Sequence, residues 1–342
     1  MDDQAASAAI AAVIVNYRTP ELTAECLANL RAERLLLPRL RVVVVDGGSN
    51  DGSAERIGKL IAKAEYRDWA KLLPLELNGG FGWANNQAIL GMAREDDPAE
   101  FIYLLNPDAS VTDGAVAALV RDLLQHPRCA AAGSQLLNED GSLAASAFRF
   151  PSAGRELTGA ARSEKLGRVL GIAPLVIEAG HSVEVDWVTG ASVLLRSEAL
   201  RDVGLFDDGF FLYFEEVELM HRFHTNGWTV RHVPSSRVFH REGSATGLGS
   251  AAAQPFARYW YSSRRRYFAL TGGHAAVVGA TLGWLGGRIV ALPKRLVGRP
   301  TALRIRLFDL LRSGWARRRD LIPSAPRWGD PAGKPPSWMA RQ

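Results

Sequence analysis

The sequence AVIVNYRTPELTAECLANL, residues 12–30, predicts a buried strand followed directly by a helix. The strand is the apolar run at its start, and Thr19-Pro20-Glu21 then supplies an N-cap, a first-turn proline and a first-turn acid. Leu22, Cys26 and Leu30 recur at helical spacing on one face. This unit predicts the start of an alternating β/α chain.

The same alternation continues to about residue 125. Further strands are expected at 41–45, 72–77 and 101–105, and helices near 53–65, 84–94 and 113–125. Continuous apolar strands separated by amphipathic helices are typical of a parallel sheet that helices cover on both faces. The predicted fold class is therefore α/β, with ligands bound at the carboxyl ends of the strands.

Polar side chains collect at those strand ends. The four segments are Asn16-Tyr17-Arg18, residues 46–52 (DGGSNDG), residues 78–82 (NGGFG) and Asn106-Pro107-Asp108. Because parallel strands place their carboxyl ends at one edge of the sheet, these segments are expected to lie together. Their amide and carboxylate groups suit a nucleotide and a metal ion.

The pattern changes after residue 130. The run AAAGSQLL (130–137) and a turn at 138–141 predict an antiparallel addition to the sheet. Residues 151–180 are expected to be a mobile loop or an excursion over the site. The later elements expected are a strand over 185–196, a helix capped by Ser197, a helix over about 215–226 and a strand over 228–233.

Composition excludes several classes of protein. The chain has 342 residues, 47% hydrophobic and 23% charged, which is ordinary globular usage and allows one large domain or two smaller ones. Its only cysteines, Cys26 and Cys129, are too few and too far apart for a disulfide framework or a CxxC zinc site. The acidic N-terminus lacks the positive charge of a signal peptide, so a cytoplasmic protein is expected.

Charge is distributed unevenly along the chain. Residues 255–342 contain 17 basic and 3 acidic residues, a net charge of +14, whereas residues 1–254 carry −9. Such a reversal indicates an anionic partner, and without a base-reading motif a membrane surface is favoured over nucleic acid.

The apolar stretch 274–292 is short for a membrane span and contains four glycines and Arg288. With Arg264-Arg265-Arg266 before it and Lys294-Arg295 after it, this stretch is expected to lie on an anionic membrane surface. The alternative is a pair of helices packed on the preceding domain. The Pro/Gly-rich segment after Leu321 is expected to be disordered.

Common α/β enzyme motifs are absent. No GxGxxG follows the first strand, and neither GxxxxGK[ST] nor GxSxG occurs, which disfavours dinucleotide dehydrogenases, P-loop NTPases and α/β-hydrolases. The remaining pattern of strand-end carboxylates and the acidic run Glu215-Glu216-Val217-Glu218 suits an enzyme acting on a nucleotide-sugar.

Seven motifs, in order, resemble the inverting glycosyltransferases of family 2, especially their rhamnosyltransferase-like branch. They are VIVNYRTPE (13–21), VVVVDGGSNDGS (42–53), NGGFGWANNQ (78–87), LLNPDASV (104–111), WVTGASVLLRSEAL (187–200), GLFDDGFFLYFEEVEL (204–219) and HREGSATG (240–247). The resemblance implies the GT-A fold, a Rossmann-like mixed sheet, mostly parallel, with helices on both faces. Together with the charge and composition of the C-terminal part, it predicts four segments: a tail at 1–11, the GT-A domain at 12–250, a basic helical membrane-associating extension at 251–320, and the disordered tail at 321–342.

The resemblance also implies the donor site. The residues expected to bind the nucleotide-sugar are Asn16, Tyr17, Asp46, Asn78, Gly80, Asn85, Asn106 and Asp108. Asp46 is implied to contact the nucleobase and ribose, although it could instead cap the following turn. Asn78, Gly80 and Asn85 could equally serve only a turn and a helix cap.

Asn106-Pro107-Asp108 stands where the family keeps its DxD-type metal motif, and Asp108 is its only acid. Mg²⁺ or Mn²⁺ can rely on one carboxylate and the donor diphosphate, and His240 is implied as a second ligand that suits Mn²⁺ better than Mg²⁺. A turn role for Asp108 and a structural role for His240 remain alternatives.

The family's catalytic base implies Glu216, with Glu215 as the alternative, because the usual pair there is Glu-Asp and its second member deprotonates the acceptor hydroxyl. Trp187 and Gly190 are implied to border the acceptor pocket, or else to serve the core. A solvated first helical turn remains the alternative for the glutamates.

The expected function is transfer of a sugar, such as L-rhamnose from dTDP-rhamnose or another dTDP- or UDP-sugar, to a hydroxyl of a lipid-linked or cell-envelope polysaccharide. The expected location is the cytoplasmic face of the membrane. A non-catalytic glycan-binding scaffold and a nucleotidyltransferase are the alternatives, and no nucleic-acid partner is expected.

Overall fold

A computed structural model describes residues 3–241, 255–296 and 305–339. Its strands are β1 (Ile10–Asn16), β2 (Leu40–Asp46), β3 (Ala70–Pro74), β4 (Phe101–Leu105), β5 (Ala109–Val111), β6 (Cys129–Leu137), β7 (Ala147–Phe148), β8 (Val183–Val185), β9 (Trp187–Val188), β10 (Ser192–Arg196) and β11 (Thr229–His240). Its helices are α1 (Asp3–Ser7), α2 (Pro20–Leu36), α3 (Ser53–Ile61), α4 (Phe81–Met92), α5 (Ala115–Gln125), α6 (Ala153–Ala161), α7 (Glu164–Val169), α8 (Ser197–Val203), α9 (Glu215–Thr225), α10 (Arg258–Leu296) and α11 (Leu307–Arg312), with a 3₁₀ helix at Arg318–Leu321.

The predicted α/β class and its mixed sheet are confirmed. The main sheet runs β3-β2-β1-β4-β10-β6-β11-β5, with β8 paired to β11. β3, β2, β1 and β4 are parallel, and β10 joins β4 antiparallel. Leu27, Ile57 and Leu119 belong to a buried cluster on one face of the sheet, and Ile89 and Leu219 to a second cluster on the other.

The strand register brings the polar strand ends together. Asn16 is the Cα partner of Asp46, and Asp46 is the partner of Pro74, so these strands end at one level. Ile14 pairs with Leu105, which places the Asn-Pro-Asp segment that follows Leu105 beside the end of β1. Parallel pairing therefore builds the expected edge from residues far apart in sequence.

The region after residue 130 is more irregular than its sequence pattern indicates. β6 pairs antiparallel with β10 but parallel with β11, and the strand expected over 185–196 is divided into β8, β9 and β10. The expectation of a mobile loop over 151–180 is wrong. Ser152 and Ser163 cap α6 and α7 there with their hydroxyls, and α6 packs along α10.

α10 breaks at Gly272 and Gly273, whose backbone is not helical, and its second half lies on α6. A Cβ at Gly283 would overlap the carbonyl oxygen of Ala153, and one at Gly287 would overlap that of Leu157. Small residues at these positions let the two helix backbones approach closely. The glycines that weaken a membrane-span assignment therefore form a helix-packing seam.

The basic run at 264–266 is not a lipid-facing flank. All three arginines are buried, and each forms an ion pair, Arg264 with Glu156, Arg265 with Asp320 and Arg266 with Asp207. Burial of a guanidinium is costly without a paired charge. Arg264 and Arg266 therefore hold the extension on the preceding domain, whereas Arg265 joins two segments of the extension. The side chains of Lys294 and Arg295 and residues 242–254, including most of HREGSATG, lie outside the described residues.

The structure also differs from the expected disordered tail. Over 322–339 the chain has little regular structure but donates and accepts hydrogen bonds across the domain: Gly333 N–H to Gln87 Oε1, Trp83 Nε1 to the Lys334 carbonyl, and Leu205 N–H to the Pro326 carbonyl (2.9 Å). Proline and glycine content disfavours helices and strands, but it does not prevent such docking.

Gly283→Ala is expected to lower the free energy of unfolding by about 1–3 kcal/mol, because the added methyl overpacks the α10–α6 seam. The matched control is Gly279→Ala, whose Cβ would lie an ordinary 3.6 Å from Ala153 Cβ. That control should keep or raise stability, since alanine favours a helix over glycine by roughly 1 kcal/mol. Urea denaturation of both variants measures the difference; equal effects would show that the seam is loose.

Candidate active site

Asp46 lies at the centre of a hydrogen-bonded cluster at the end of β2. Its Oδ2 accepts from Asn16 Nδ2 at 2.7 Å and from Ser49 Oγ at 2.7 Å, and its Oδ1 accepts from Ser49 N–H at 3.0 Å. Asn16 is fully buried, and its own Oδ1 accepts from Thr23 Oγ1. Asn16 therefore orients Asp46 rather than facing solvent, while Tyr17 beside it is half-buried.

The residues at 78–85 form the turn into α4. Asn78 Oδ1 accepts from Gly80 N–H at 3.1 Å, and Asn85 is buried with its Nδ2 donating to the Phe81 carbonyl. Gly80 has φ +93°, and a Cβ there would overlap the carbonyl of Phe211. These residues fix the contact of α4 with the 209–214 loop, so their described interactions are structural.

Asp108 and His240 come together, as the sequence predicted for a metal pair. β5 pairs with β11 so that Ala109 faces His240, and His240 Nε2 lies 3.2 Å from Asp108 Oδ1 and 3.2 Å from Asn106 Nδ2. Neighbouring ligands of an octahedral ion with bonds of about 2.1 Å are about 3 Å apart, so the pair fits two adjacent ligand positions.

Across the described ranges, no group of three or more His, Cys, Asp or Glu side chains could hold a metal ion. Asp108 and His240 would thus supply only part of a coordination shell, and the diphosphate of a donor and water would supply the rest.

Glu215 and Glu216 begin α9 after two strained residues. Tyr213 and Phe214 both have φ of 70°, a conformation that side-chain-bearing residues adopt at a cost of about 1–3 kcal/mol each and that clusters at functional sites. Glu215 is buried and Glu216 half-buried, and their Oε2 atoms are buried without a hydrogen-bond partner in the described structure. Unsatisfied buried carboxylate oxygens are costly and indicate a site for a substrate group.

Both glutamates have raised pKa values. Burial raises the pKa of Glu216 from 4.5 to about 7, and burial together with the neighbouring Glu216 raises the pKa of Glu215. A general base works best when its pKa is close to the working pH. Of the two, Glu216 combines a suitable pKa with partial exposure.

Of the two positions expected to border the acceptor, Gly190 lies beside this glutamate. A Cβ at Gly190 would be 3.9 Å from Glu216 Cβ and 3.4 Å from the Phe81 ring. Trp187 instead stacks on Phe148 at 4.2 Å and donates from Nε1 to the Arg149 carbonyl.

Sequence reasoning missed two aspartates in GLFDDGFF. Asp207 is completely buried against Arg266, and Asp208 Oδ1 accepts from Asn86 Nδ2 at 2.8 Å. Burial raises the pKa of Asp208 to about 7. Two adjacent acids in an otherwise apolar segment were the available signal, but only the fold brings Arg266 and Asn86 to them.

Comparison with known proteins identifies the family. The Glycosyl transferase family 2 profile matches residues 11–160, and that of Glycosyl transferase family group 2 matches residues 101–294, more than half of the chain. The chain therefore belongs to glycosyltransferase family 2, which confirms the resemblance seen in its motifs, and it is a glycosyltransferase.

Two curated relatives are similar to this chain. It is 29% identical over 285 residues to the N-acetylglucosaminyl-diphospho-decaprenol L-rhamnosyltransferase of Mycobacterium tuberculosis, covering 78% of this chain and 85% of the relative. It is also 29% identical over 181 residues to the O-antigen biosynthesis protein RfbC of Myxococcus xanthus, covering 52% of this chain and 13% of that protein.

A solved structure supports the GT-A fold. The mannosyltransferase PcManGT from Pyrobaculum calidifontis, in complex with GDP-Man and Mn²⁺, superposes with a TM-score of 0.53 at 14% identity. The match covers 90% of this chain and 79% of the mannosyltransferase.

Glu216→Gln is expected to flatten part of the pH dependence of stability. A carboxyl whose folded pKa is raised stabilises the fold below its unfolded pKa, and this contribution is lost as pH rises from about 4.5 to about 7. The variant should therefore be more stable than the wild type at pH 8, by about 2 kcal/mol. Urea denaturation at pH 5 and pH 8 tests this. Glu198→Gln, at an exposed glutamate of α8, is the control and should retain the wild-type slope.

Proposed function

We propose that Glu216 deprotonates an acceptor hydroxyl, which attacks the anomeric carbon of a nucleotide-sugar with inversion. The observation that carries this proposal is the half-buried Glu216 carboxylate, which has a raised pKa and one buried oxygen without a hydrogen-bond partner in the described structure. It lies beside Gly190, which has no Cβ. An inverting transfer needs such a carboxylate within hydrogen-bond reach of the attacking hydroxyl. Glu215, being more deeply buried, positions Glu216 through repulsion and packing.

Donor binding is assigned to the strand-end cluster. Asp46, held by Asn16 and Ser49, would accept hydrogen bonds from the nucleoside, with Tyr17 beside it. Asp108 and His240 would hold Mg²⁺ or Mn²⁺, with Asn106 next to the same imidazole nitrogen. When bound, such an ion neutralises the charge that develops on the departing nucleoside diphosphate.

The relatives support the proposed donor and acceptor. One similar protein is named as an L-rhamnosyltransferase of a diphospho-decaprenol-linked N-acetylglucosamine, and another as an O-antigen biosynthesis protein. On this basis the donor is a dTDP- or UDP-sugar, with dTDP-L-rhamnose favoured, and the acceptor is a lipid-linked glycan of the cell envelope. Specificity varies within one fold, so the sugar rests on this similarity alone.

Membrane association is proposed for the C-terminal extension, at the cytoplasmic face. The helix Arg258–Leu292 is long and apolar enough to cross a membrane by length and composition. Its second half, however, packs on α6 along one side, and a surface of exposed apolar side chains accompanies it. That surface, here called the apolar patch, comprises Leu282, Ile289, Val290, Leu292, Leu307, Phe308, Leu311 and Trp315. Because this part of α10 packs on α6 along one side and exposes apolar side chains on another, we expect the extension to lie on the membrane surface rather than to cross it.

The two site variants Glu216→Gln and Asp108→Ala should separate chemistry from donor binding. Glu216→Gln is expected to lower kcat by about two to four orders of magnitude while UDP or dTDP still raises the melting temperature in the presence of Mn²⁺. Asp108→Ala should remove the Mn²⁺-dependent part of that shift. Thermal-shift titrations and single-turnover transfer assays measure the two effects.

Glu215→Gln tests which of the two adjacent glutamates is the base. If Glu215→Gln rather than Glu216→Gln abolishes turnover, the base is Glu215. Full turnover by Asp108→Ala and Glu216→Gln would contradict the roles proposed for these two residues. Absence of transfer and of donor hydrolysis in the wild type would favour the non-catalytic scaffold, and pyrophosphate release from a nucleoside triphosphate would favour a nucleotidyltransferase.

The double variant Phe308→Asp, Trp315→Asp should abolish binding to anionic vesicles, because it places charge in the apolar patch. Leu35→Asp is the control, since Leu35 is 83% exposed on α2, in another part of the fold. Co-sedimentation with vesicles containing phosphatidylglycerol measures the effect. Binding that is equal for both variants would contradict a membrane role for this surface.

A further inference from the structure

A cavity of about 460 Å³ lies between the 209–214 loop, the first half of α10, the 3₁₀ helix and the C-terminal tail. None of Asp46, Asp108 and Glu216 lines it, so it is separate from the proposed donor site and base. Its volume is in the range of small-molecule sites. It combines aromatic side chains, hydroxyls and arginines: Phe211, Tyr259 and Trp338, Ser262 and Ser337, and Arg265, Arg266 and Arg319.

A smaller groove of about 200 Å³ adjoins the cavity. The two share Ser262 and Arg265, and the groove is lined further by Arg312 and Arg317. Because the shared residues form a wall of both, an elongated ligand could occupy cavity and groove together.

The positive charge along this path is only partly compensated. Arg265 and Arg266 pair with Asp320 and Asp207. Arg312, Arg317 and Arg319 are exposed, and within the described ranges no acidic oxygen lies within 4.0 Å of their side-chain nitrogens. The neighbouring Arg265 lowers the pKa of Arg317, as do partial burial, Arg319 and Arg312, whereas Asp320 acts in the opposite direction. Clustered cations of this kind are stabilised by an anion, and guanidinium groups match phosphate oxygens.

The cavity shares a wall with the proposed base. Phe211 lines the cavity, and its carbonyl accepts from Phe81 N–H at 3.1 Å, next to Gly190 and Glu216. Tyr213 stacks on Tyr259 of the cavity wall at 6.1 Å, and the same loop continues into α9. A ligand seated here would therefore lie directly behind the loop that carries Glu216.

Helix α11 contributes residues both to the groove and to the apolar patch. Asp309, Arg312 and Ser313 line the groove, and the same short helix α11 exposes Leu307 and Phe308. An anionic head held by the arginines could thus continue into an apolar chain on the exposed surface.

We propose that the cavity and groove bind the diphosphate of the lipid-linked acceptor. Arg312, Arg317 and Arg319 contact the phosphate oxygens, and the aromatic side chains cover the groups next to them. The ligand is a prenyl diphosphate carrying a sugar, and its attachment behind the 209–214 loop directs that sugar towards Glu216. The acceptor's identity rests on the proposed function, whereas the anion site rests on the arginines.

Isothermal titration of the full chain with farnesyl diphosphate tests the site without turnover. EDTA is present, so that no metal can recruit the ligand to Asp108. The double variant Arg317→Gln, Arg319→Gln is expected to weaken binding by about tenfold to a hundredfold. Arg121→Gln, an exposed arginine of α5, is the matched control and should bind as the wild type does. Unchanged affinity in the double variant, or an equal loss in the control, would overturn the proposal.

Two further arms distinguish the source of the phosphate. Phosphatidylglycerol vesicles that displace farnesyl diphosphate with the same arginine dependence would assign the site to bulk lipid and overturn the acceptor assignment. In transfer assays, the double variant should raise KM about tenfold or more for a prenyl-diphosphate-linked N-acetylglucosamine. It should leave kcat, and KM for an alkyl N-acetylglucosaminide without phosphate, within about twofold. A wild type that binds farnesyl diphosphate but transfers to neither acceptor would contradict the proposed function and leave the anion site standing.

Discussion

The buried ion pair between Asp207 and Arg266 joins three parts of the chain: the loop before α9, helix α10 and the C-terminal tail. Arg266 donates to both carboxylate oxygens of Asp207, and Ser324 of the tail donates to the same group. Gly209 makes room for the guanidinium, since a Cβ there would overlap it. Removing one partner of such a pair leaves an uncompensated buried charge, at a cost of about 3–5 kcal/mol. The C-terminal extension is therefore part of the catalytic domain's structure.

This arrangement explains how a strained loop can position Glu216, the proposed base. Tyr213 and Phe214 hold left-handed backbone conformations immediately before Glu215, which is unfavourable in isolation. Packing compensates for that strain: Phe214 contacts Tyr267 and Trp260 of α10, and Ser263 donates to the Leu212 carbonyl. The extension that faces the proposed membrane surface thus also fixes the position of Glu216. The proposed acceptor site and the proposed base therefore share one structural support.

Much of the fold and part of the site were predictable. The strands at 12–16, 41–45 and 101–105 were correct to within two residues at each end, because fully buried parallel strands are continuous apolar runs. The motif resemblance implied Asp108 and His240 as two metal ligands; the structure places them 3.2 Å apart, and the metal role stays a prediction. The prediction that the arginines at 264–266 flank a membrane-bound stretch was wrong, because sequence shows a charge but not the acid that neutralises it. Local composition likewise gave no sign that residues 322–339 dock on α4.

The sequence by itself determined the α/β class, the polar strand ends and the family, because strand burial, helix periodicity and turn chemistry are local properties. Only the tertiary structure decided which charges are buried in pairs and which remain open. It brings Glu156, Asp207 and Asp320 to Arg264, Arg266 and Arg265, and it leaves Arg312, Arg317 and Arg319 without an ion pair among the described residues. Electrostatic pairing depends on distance in space between residues remote in the chain, which no local pattern encodes.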